Sequence, residues 1–252
     1  MKRLIIIIFC ILSISASAQR NKVFNKPKYD NYWYHFGFAL GINTMDFTIQ
    51  KAGNFLKDDA LYSIDSIDAT DKVYSINSIE NIRRPGFNIN IVSNLRVNDN
   101  WDLRFTPGLC FGQRDLDYLV VLKDTIKNET YPVHHIMSLE STFLQFPVYL
   151  KYRAKRINNY RPYVIGGINY SYDLAIKIKK DKDKEPKITL THNDFYFEMG
   201  FGVDYYFSYF KFSSEIKFSL GLNDVLKHDK SGYTRSIDKM NSKIVSLIFY
   251  FE

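Results

Sequence analysis

The chain has 252 residues, 46% apolar and 24% charged, with a formal charge of +7. Only 12 Gly and 7 Pro exclude collagen-like and low-complexity disordered classes, and the length allows one large domain or two small ones. Aromatics are abundant instead: 20 Phe and 19 Tyr suit strands and also suit a membrane interface.

Residues 1–18 predict a secretory signal peptide. Lys2 and Arg3 form a positive start, Leu4 to Ile14 an apolar stretch, and Ala16-Ser17-Ala18 a small-residue cleavage site. The apolar core is too short to span a bilayer as a helix. Cys10 sits in mid-segment, not just after a small-residue box, so it is not read as lipidated. Cleavage after Ala18 lowers the formal charge from +7 to +5 and leaves Cys110 as the remaining cysteine. Without an internal disulfide, stability must come from packing and hydrogen bonding.

Residues 19–34 are basic, then aromatic: Arg20, Lys22, Lys26 and Lys28 precede Tyr29, Tyr32, Trp33 and Tyr34. This segment is expected to lie in the periplasm. Its aromatics read as an interfacial belt, and its basic part as a solvated stretch or a contact for a periplasmic partner.

From residue 35 to residue 252 period-2 alternation recurs, the mark of strands with two different faces. In chain order the apolar positions are Phe36 to Ile42, Phe87 to Ile91, Trp101 to Phe111, Leu144 to Tyr152, a weaker Val164 to Tyr172, Phe195 to Val203, Phe212 to Leu220, and Val245 to Phe251. Most of these segments approach the roughly 9–11 residues that a tilted strand needs to cross a bilayer.

The connections are short at Val97 to Asn100, Ala154 to Tyr160 and Phe207 to Phe210. They are long and polar at about Gln50 to Arg84, Val120 to Ser141, Lys177 to Asn193 and Asn223 to Asn241. Short turns on one rim and long loops on the other fit a bacterial outer-membrane barrel. The expected fold is therefore all-β: an eight-stranded antiparallel up-and-down transmembrane β-barrel over residues 35–252, with short periplasmic turns and long extracellular loops. A soluble barrel would have to fit the Phe and Trp side chains inside, and so small a barrel lacks the room.

The other face carries Asp102, Arg104, Lys151, Arg153, Glu198, Glu215 and Lys217. Inside a barrel these charges must pair, since a buried unpaired charge is very costly. The lumen is expected to be polar and filled, not a pore. Val245, Leu247, Phe249 and Phe251 should close the barrel against the first strand and serve in insertion, because lipid tolerates no open sheet edge.

The first long loop repeats Ser-Ile-acid, so Ile64, Ile67, Ile76, Ile79 and Ile82 form either part of a solvated hairpin or an apolar stripe for a protein partner. Residues 177–187, alternating Lys with Asp and Glu, read as a solvated tip or as a contact for anionic lipopolysaccharide.

Catalytic signals are poor. His134 and His135 are adjacent and would point to opposite faces of a strand. Ser141, His192 and Glu140 are candidates for a lipid-modifying site only by lying near strand ends, and Cys110 reads as a small filler. No phosphate-loop, dinucleotide or zinc-protease motif is present. The chain is read as a non-enzyme without cofactor, metal, nucleic acid or small-molecule substrate, with outer-membrane lipids and lipopolysaccharide around it.

Residues Phe143-Leu144-Gln145-Phe146-Pro147-Val148-Tyr149-Leu150-Lys151-Tyr152, Arg161 to Gly167 and Phe197 to Tyr205 resemble strands of a large family of small bacterial outer-membrane barrels. Ser219-Leu220-Gly221-Leu222-Asn223-Asp224-Val225-Leu226, the C-terminal Val245 to Glu252 and the Tyr-rich start are similar to the PorT family, associated with type IX secretion and gliding. The resemblance runs over roughly the whole mature chain and is weakest in the first and third loops. It implies an accessory role in protein export, with other secretion-system proteins as partners, and no catalytic residues. The alternative is a generic small barrel: an adhesin, an envelope-integrity protein or a lipid A-modifying enzyme.

Overall fold

The structure is a computed structural model and describes residues 24–52, 72–124, 129–177, 188–228 and 232–252. The predicted signal peptide, Ile64 and Ile67, and the charged tip at 178–187 lie outside the described residues.

Nine strand segments occur: β1 (Tyr34–Lys51), β2 (Lys72–Arg96), β3 (Trp101–Phe105), β4 (Gly108–Asp124), β5 (Glu129–Arg153), β6 (Tyr160–Asp173), β7 (Asn193–Tyr206), β8 (Lys211–Gly221) and β9 (Ile237–Phe251). All pairings are antiparallel between neighbours, and β1 pairs with both β2 and β9, which closes the ring. Segments β3 and β4 both lie between β2 and β5, so they are two halves of one barrel stave. The break falls at Thr106-Pro107, where proline has no N–H to give to the ladder. The result is an eight-stave barrel in which one stave is interrupted.

The shortest stave, β8, has 11 residues, enough for a tilted strand to cross the hydrocarbon. At this level the outer surface is apolar. Phe36, Phe38, Leu40, Ile89, Ile91, Leu103, Val148, Leu150, Phe197, Met199 and Phe218 are all exposed on it. The inner face of the same strands buries the charges.

Two sequence expectations about loops need correction. Residues 120–141 are not a long loop: β4 and β5 pair from Gly108↔Gln145 up to Asp124↔Glu129, a hairpin rising well beyond the apolar belt. The connection after β1 is also shorter than expected, because β2 begins at Lys72. Ile76 and Ile79, read as a stripe for a partner, lie in β2 and are 2% and 7% exposed. They face inward and contribute to the barrel's own core, so they offer no docking surface.

A register shift between Arg83 and Phe87 marks where β2 leaves the membrane level. Gly86 sits in it, and a Cβ there would collide with the Phe111 carbonyl oxygen and the Asn43 side chain. This is one place where the fold requires glycine's lack of a side chain.

Candidate functional site

The lumen at membrane level holds a linked set of ion pairs. Arg104, on β3, lies 3.2 Å from Glu215 of β8 and 3.4 Å from Glu252, the last residue. Glu215 also accepts hydrogen bonds from Tyr163 (2.9 Å) and Tyr250 (2.7 Å), and the Arg104 guanidinium lies 4.5 Å from the Tyr250 ring centre. Lys151 donates to both oxygens of Asp204 at 2.9 Å, and Ser213 donates to the same carboxylate at 2.6 Å. Lys217 lies 3.1 Å from Glu198, which also accepts from Asn169, Ser219 and Tyr149. Arg153 pairs with Asp102 at 2.9 Å, and Asn94 donates to Asp102 at 3.0 Å.

Asp102, Arg104, Lys151, Arg153, Glu198, Glu215 and Lys217 are thus all buried. Several members are not in the sequence-derived set: Asp204, Lys211, Glu252, Arg114 and Asp173. Glu252 was hidden by its terminal position, yet Lys211 holds it at 2.5 Å inside the lumen. Asp204 and Lys211 sit at a strand end and start, where alternation gives least guidance.

Among the described residues Arg114 is the uppermost buried cation of the lumen. It donates to Ser242 at 3.2 Å and to Ser141, lies 3.8 Å from Asp173, and rests against the Phe47 and Phe143 rings at 4.3 and 5.3 Å. Above it the interior turns apolar. Phe47, Ile76, Ile79, Leu116, Tyr118, Val120, Met137, Leu139, Ile237 and Met240 pack with Ile188, Leu190, Val225, Leu226 and Tyr233. The last five come from the β6–β7 and β8–β9 connections, which fold inward and join through a Leu190↔Leu226 bridge. Tyr233, on the short helix α1 (Gly232–Arg235), sets its ring edge-on to Tyr118 at 5.1 Å. These groups form an apolar cap over the extracellular end.

The periplasmic end is covered by residues 24–33. Tyr29 stacks on His35 at 4.1 Å and donates to Glu252 at 3.3 Å. Tyr29 therefore belongs to the mouth and not to the belt in which the sequence placed it, whereas Tyr32, Trp33 and Tyr34 are 63%, 71% and 45% exposed. Burial and the nearby Glu252 carboxylate raise the Tyr29 phenol well above its usual range, so it stays a neutral donor.

The remaining candidates do not converge. Ser141 is buried in the lumen under Arg114, while Glu140 is on the opposite, exposed face. His192 Nδ1 lies 3.1 Å from the Asp173 carbonyl oxygen. His134 pairs with Asp117 at 3.0 Å on the outer face, and His135 stacks on Tyr233 at 5.6 Å. Cys110 is 1% exposed beside Met45 and Phe143. Among the described residues no group of three His, Cys, Asp or Glu side chains could hold a metal ion. Val245, Leu247, Phe249 and Phe251 face outward on β9 between β1 and β8, and Phe251 stacks on Phe38 at 4.9 Å.

Among solved structures the chain is similar to the outer membrane protein OprG of Pseudomonas aeruginosa. Identity is 12%, 87% of this chain and 94% of that one are covered, and the TM-score is 0.38. It is also similar to OmpT of Vibrio cholerae, at 9% identity over 86% and 76% of the two chains, with a TM-score of 0.19. No curated protein matches it. The family model described as "Outer membrane protein beta-barrel domain" matches residues 18–227, most of the closed barrel. The chain belongs to this family and is an outer-membrane protein, which its closed ring with apolar side chains outside and paired charges inside fits.

Proposed function

We propose that this barrel is an accessory component of type IX protein secretion, needed for export or for assembly of the machinery and not itself the conduit. The observation that carries the reading is the resemblance of Ser219 to Leu226, Val245 to Glu252 and the Tyr-rich start to the PorT family. The filled lumen supports the non-conduit part. An eight-stave barrel has room for side chains or one small ligand, and here ion pairs, an apolar cap and an N-terminal segment occupy that room.

In this reading the protein acts by contact, not catalysis. Its partners are other secretion-system proteins, with outer-membrane lipids and lipopolysaccharide as its surroundings, and the signal peptide is removed after Ala18. Deletion of the gene, followed by a proteome of the culture supernatant, tests it. Secreted cargo should fall in the supernatant and accumulate in the cell while other outer-membrane proteins stay at normal abundance. An unchanged supernatant would reject the secretion role and leave a small surface barrel.

A further inference from the structure

The N-terminal segment crosses the periplasmic mouth as a strap, and a single carboxylate is its centre. Asp30 lies 3.1 Å from Arg161, 3.4 Å from Arg153 and 3.9 Å from Arg156, and Tyr206 donates to it at 3.1 Å. Arg156 also grips the strap backbone through the carbonyls of Asn25 and Lys26, with its guanidinium between the Phe24 and Tyr206 rings at 3.9 and 3.6 Å. Beyond these the strap is held by polar and ring contacts at the mouth: the Asn25 amide donates to Asn159 at 2.9 Å, the Asn25 side chain donates to the Tyr206 carbonyl at 3.0 Å, and Tyr29 rests on His35 and Glu252. None of residues Tyr29–Asn31 is buried, Phe24 is 49% exposed, and Lys26 adopts φ 45°, a left-handed conformation that favours glycine. A segment with few buried apolar contacts opens at low free energy.

The charge around this mouth is unbalanced. Arg153 is matched by Asp102, and Arg96 by Asp99. Asp204, opposite Arg161 across β6 and β7, is taken by Lys151, which leaves Asp30 as the carboxylate in ion-pair reach of both Arg156 and Arg161 among the described residues. Lys26, Lys28 and Lys155 have no carboxylate partner among the described residues, and Lys28 and Lys155 are exposed. Arg153 and Arg161 are 3% and 7% exposed on their side chains' route to Asp30, so they lie inside the mouth and not on the wall that faces lipid headgroups.

We propose that this mouth is a docking site for an acidic segment of a periplasmic protein partner, and that Asp30 is the resident carboxylate which such a segment displaces. Arginine's planar fork suits carboxylate recognition, and the surrounding lysines steer an acidic chain toward it. The proposal deepens the secretion reading, on which it relies only for the partner's being a secretion component.

The test uses residues 19–252, which lack Cys10, folded in nanodiscs of zwitterionic lipid, with octaglutamate peptide as the probe. A fluorophore on Tyr32→Cys reports strap movement, since Cys110 is buried and will not compete for label. Asp30→Asn should bind octaglutamate about tenfold more tightly than the parent, and raised salt should weaken binding. In the parent, Lys28→Glu with Lys155→Glu should weaken it about tenfold; this surface variant gives a result even where Asp30→Asn folds poorly. The proposal is overturned if Asp30→Asn binds no better than the parent, if the double variant binds as well as the parent, or if neither protein binds. It is also overturned if phosphatidylglycerol in the nanodisc, with no peptide present, shifts the strap fluorophore as octaglutamate does, which would make the mouth a lipid-headgroup site. Peptide binding with an unchanged supernatant proteome would sustain the docking site and reject the secretion role; the reverse pair of results would do the opposite.

Discussion

Strand β5 turns Gln145, Tyr149, Lys151 and Arg153 into the barrel at membrane level, and Met137 and Leu139 into it above that level. Its outer face changes in the opposite sense, from Phe146, Val148 and Leu150 to Ser138 and Glu140. The same inversion occurs along β4, where Arg114 gives way to Leu116, Tyr118 and Val120 on the inner face. The cause is the solvent outside. Hydrocarbon surrounds the lower wall, so apolar side chains go out, and polar ones go in, where they must pair with one another. Water surrounds the upper wall, so the ordinary hydrophobic effect packs its interior. Arg114 stands at the junction, with Ser141 and Asp173 on its polar side and the Phe47 and Phe143 rings against its guanidinium.

The two regions should therefore respond differently to damage. The largest loss is expected from Arg104→Met, which leaves the buried carboxylates of Glu215 and Glu252 short of a partner. Breaking one side of a buried ion pair costs about 3–5 kcal/mol. Urea unfolding of the detergent-folded protein measures it, and Arg104→Met with Glu215→Gln should recover more than half of the loss. A single-variant cost under about 1 kcal/mol would mean that water, and not protein, compensates these charges.

Leu116→Ala probes the cap. The side chain is fully buried, and truncation costs about 2–5 kcal/mol through lost burial and the cavity left. The damage should stay local. Hydrogen exchange should quicken at Leu116, Tyr118 and Met240 while Val148 and Leu150 stay protected. Uniform loss of protection would show that cap and lumen unfold as one unit.

The outer boundary is mapped by lysine. Val148→Lys, in the middle of the outward apolar run from Leu144 to Tyr152, should cost about 2–4 kcal/mol, as expected for a cation on the lipid face near the midplane. Ser138→Lys, on the same face of the same strand above the belt, should change stability by less than about 0.5 kcal/mol. Equal costs would place the membrane boundary above Ser138.

This inversion also explains what could be read from the chain and what could not. The membrane staves were legible because Leu144, Phe146, Val148 and Leu150 alternate with polar residues over a full span. The upper hairpin was not. In β5 the apolar positions run through the odd numbers Met137, Leu139 and Phe143 and change to even numbers from Leu144 onward, so one strand resembles a loop followed by a strand. In β2 the register shift between Ile76 and Ser78 breaks the period again, which made Ile76 and Ile79 look like an exposed stripe. The lumenal charges were legible singly, but their pairing joins distant strands, such as Lys151 with Asp204 and Arg104 with Glu252. The strap was least legible, because Asp30 gains its role from arginines more than a hundred residues away in sequence.

The smallest effect concerns acid. Asp224, in the β8–β9 connection, accepts the amides of Leu226 at 3.0 Å and Met240 at 3.1 Å, and its other oxygen lies 3.1 Å from His228. Burial opposes its ionisation, but these donors outweigh that and hold the carboxyl below its usual range. A carboxylate depressed in the folded state adds stability that is fully present above its unfolded pKa and is lost as pH falls through the folded one. The cap should therefore loosen below about pH 4, the ordinary range of an aspartate, while the backbone ladder keeps the membrane staves closed. Hydrogen exchange at Leu226 and Met240, corrected for intrinsic rates, should rise on acidification in the parent. In Asp224→Ala it should already be raised at neutral pH and change little with acid. If both proteins respond to acid alike, the cap is held by its apolar contacts alone, and the difference between the two regions owes nothing to Asp224.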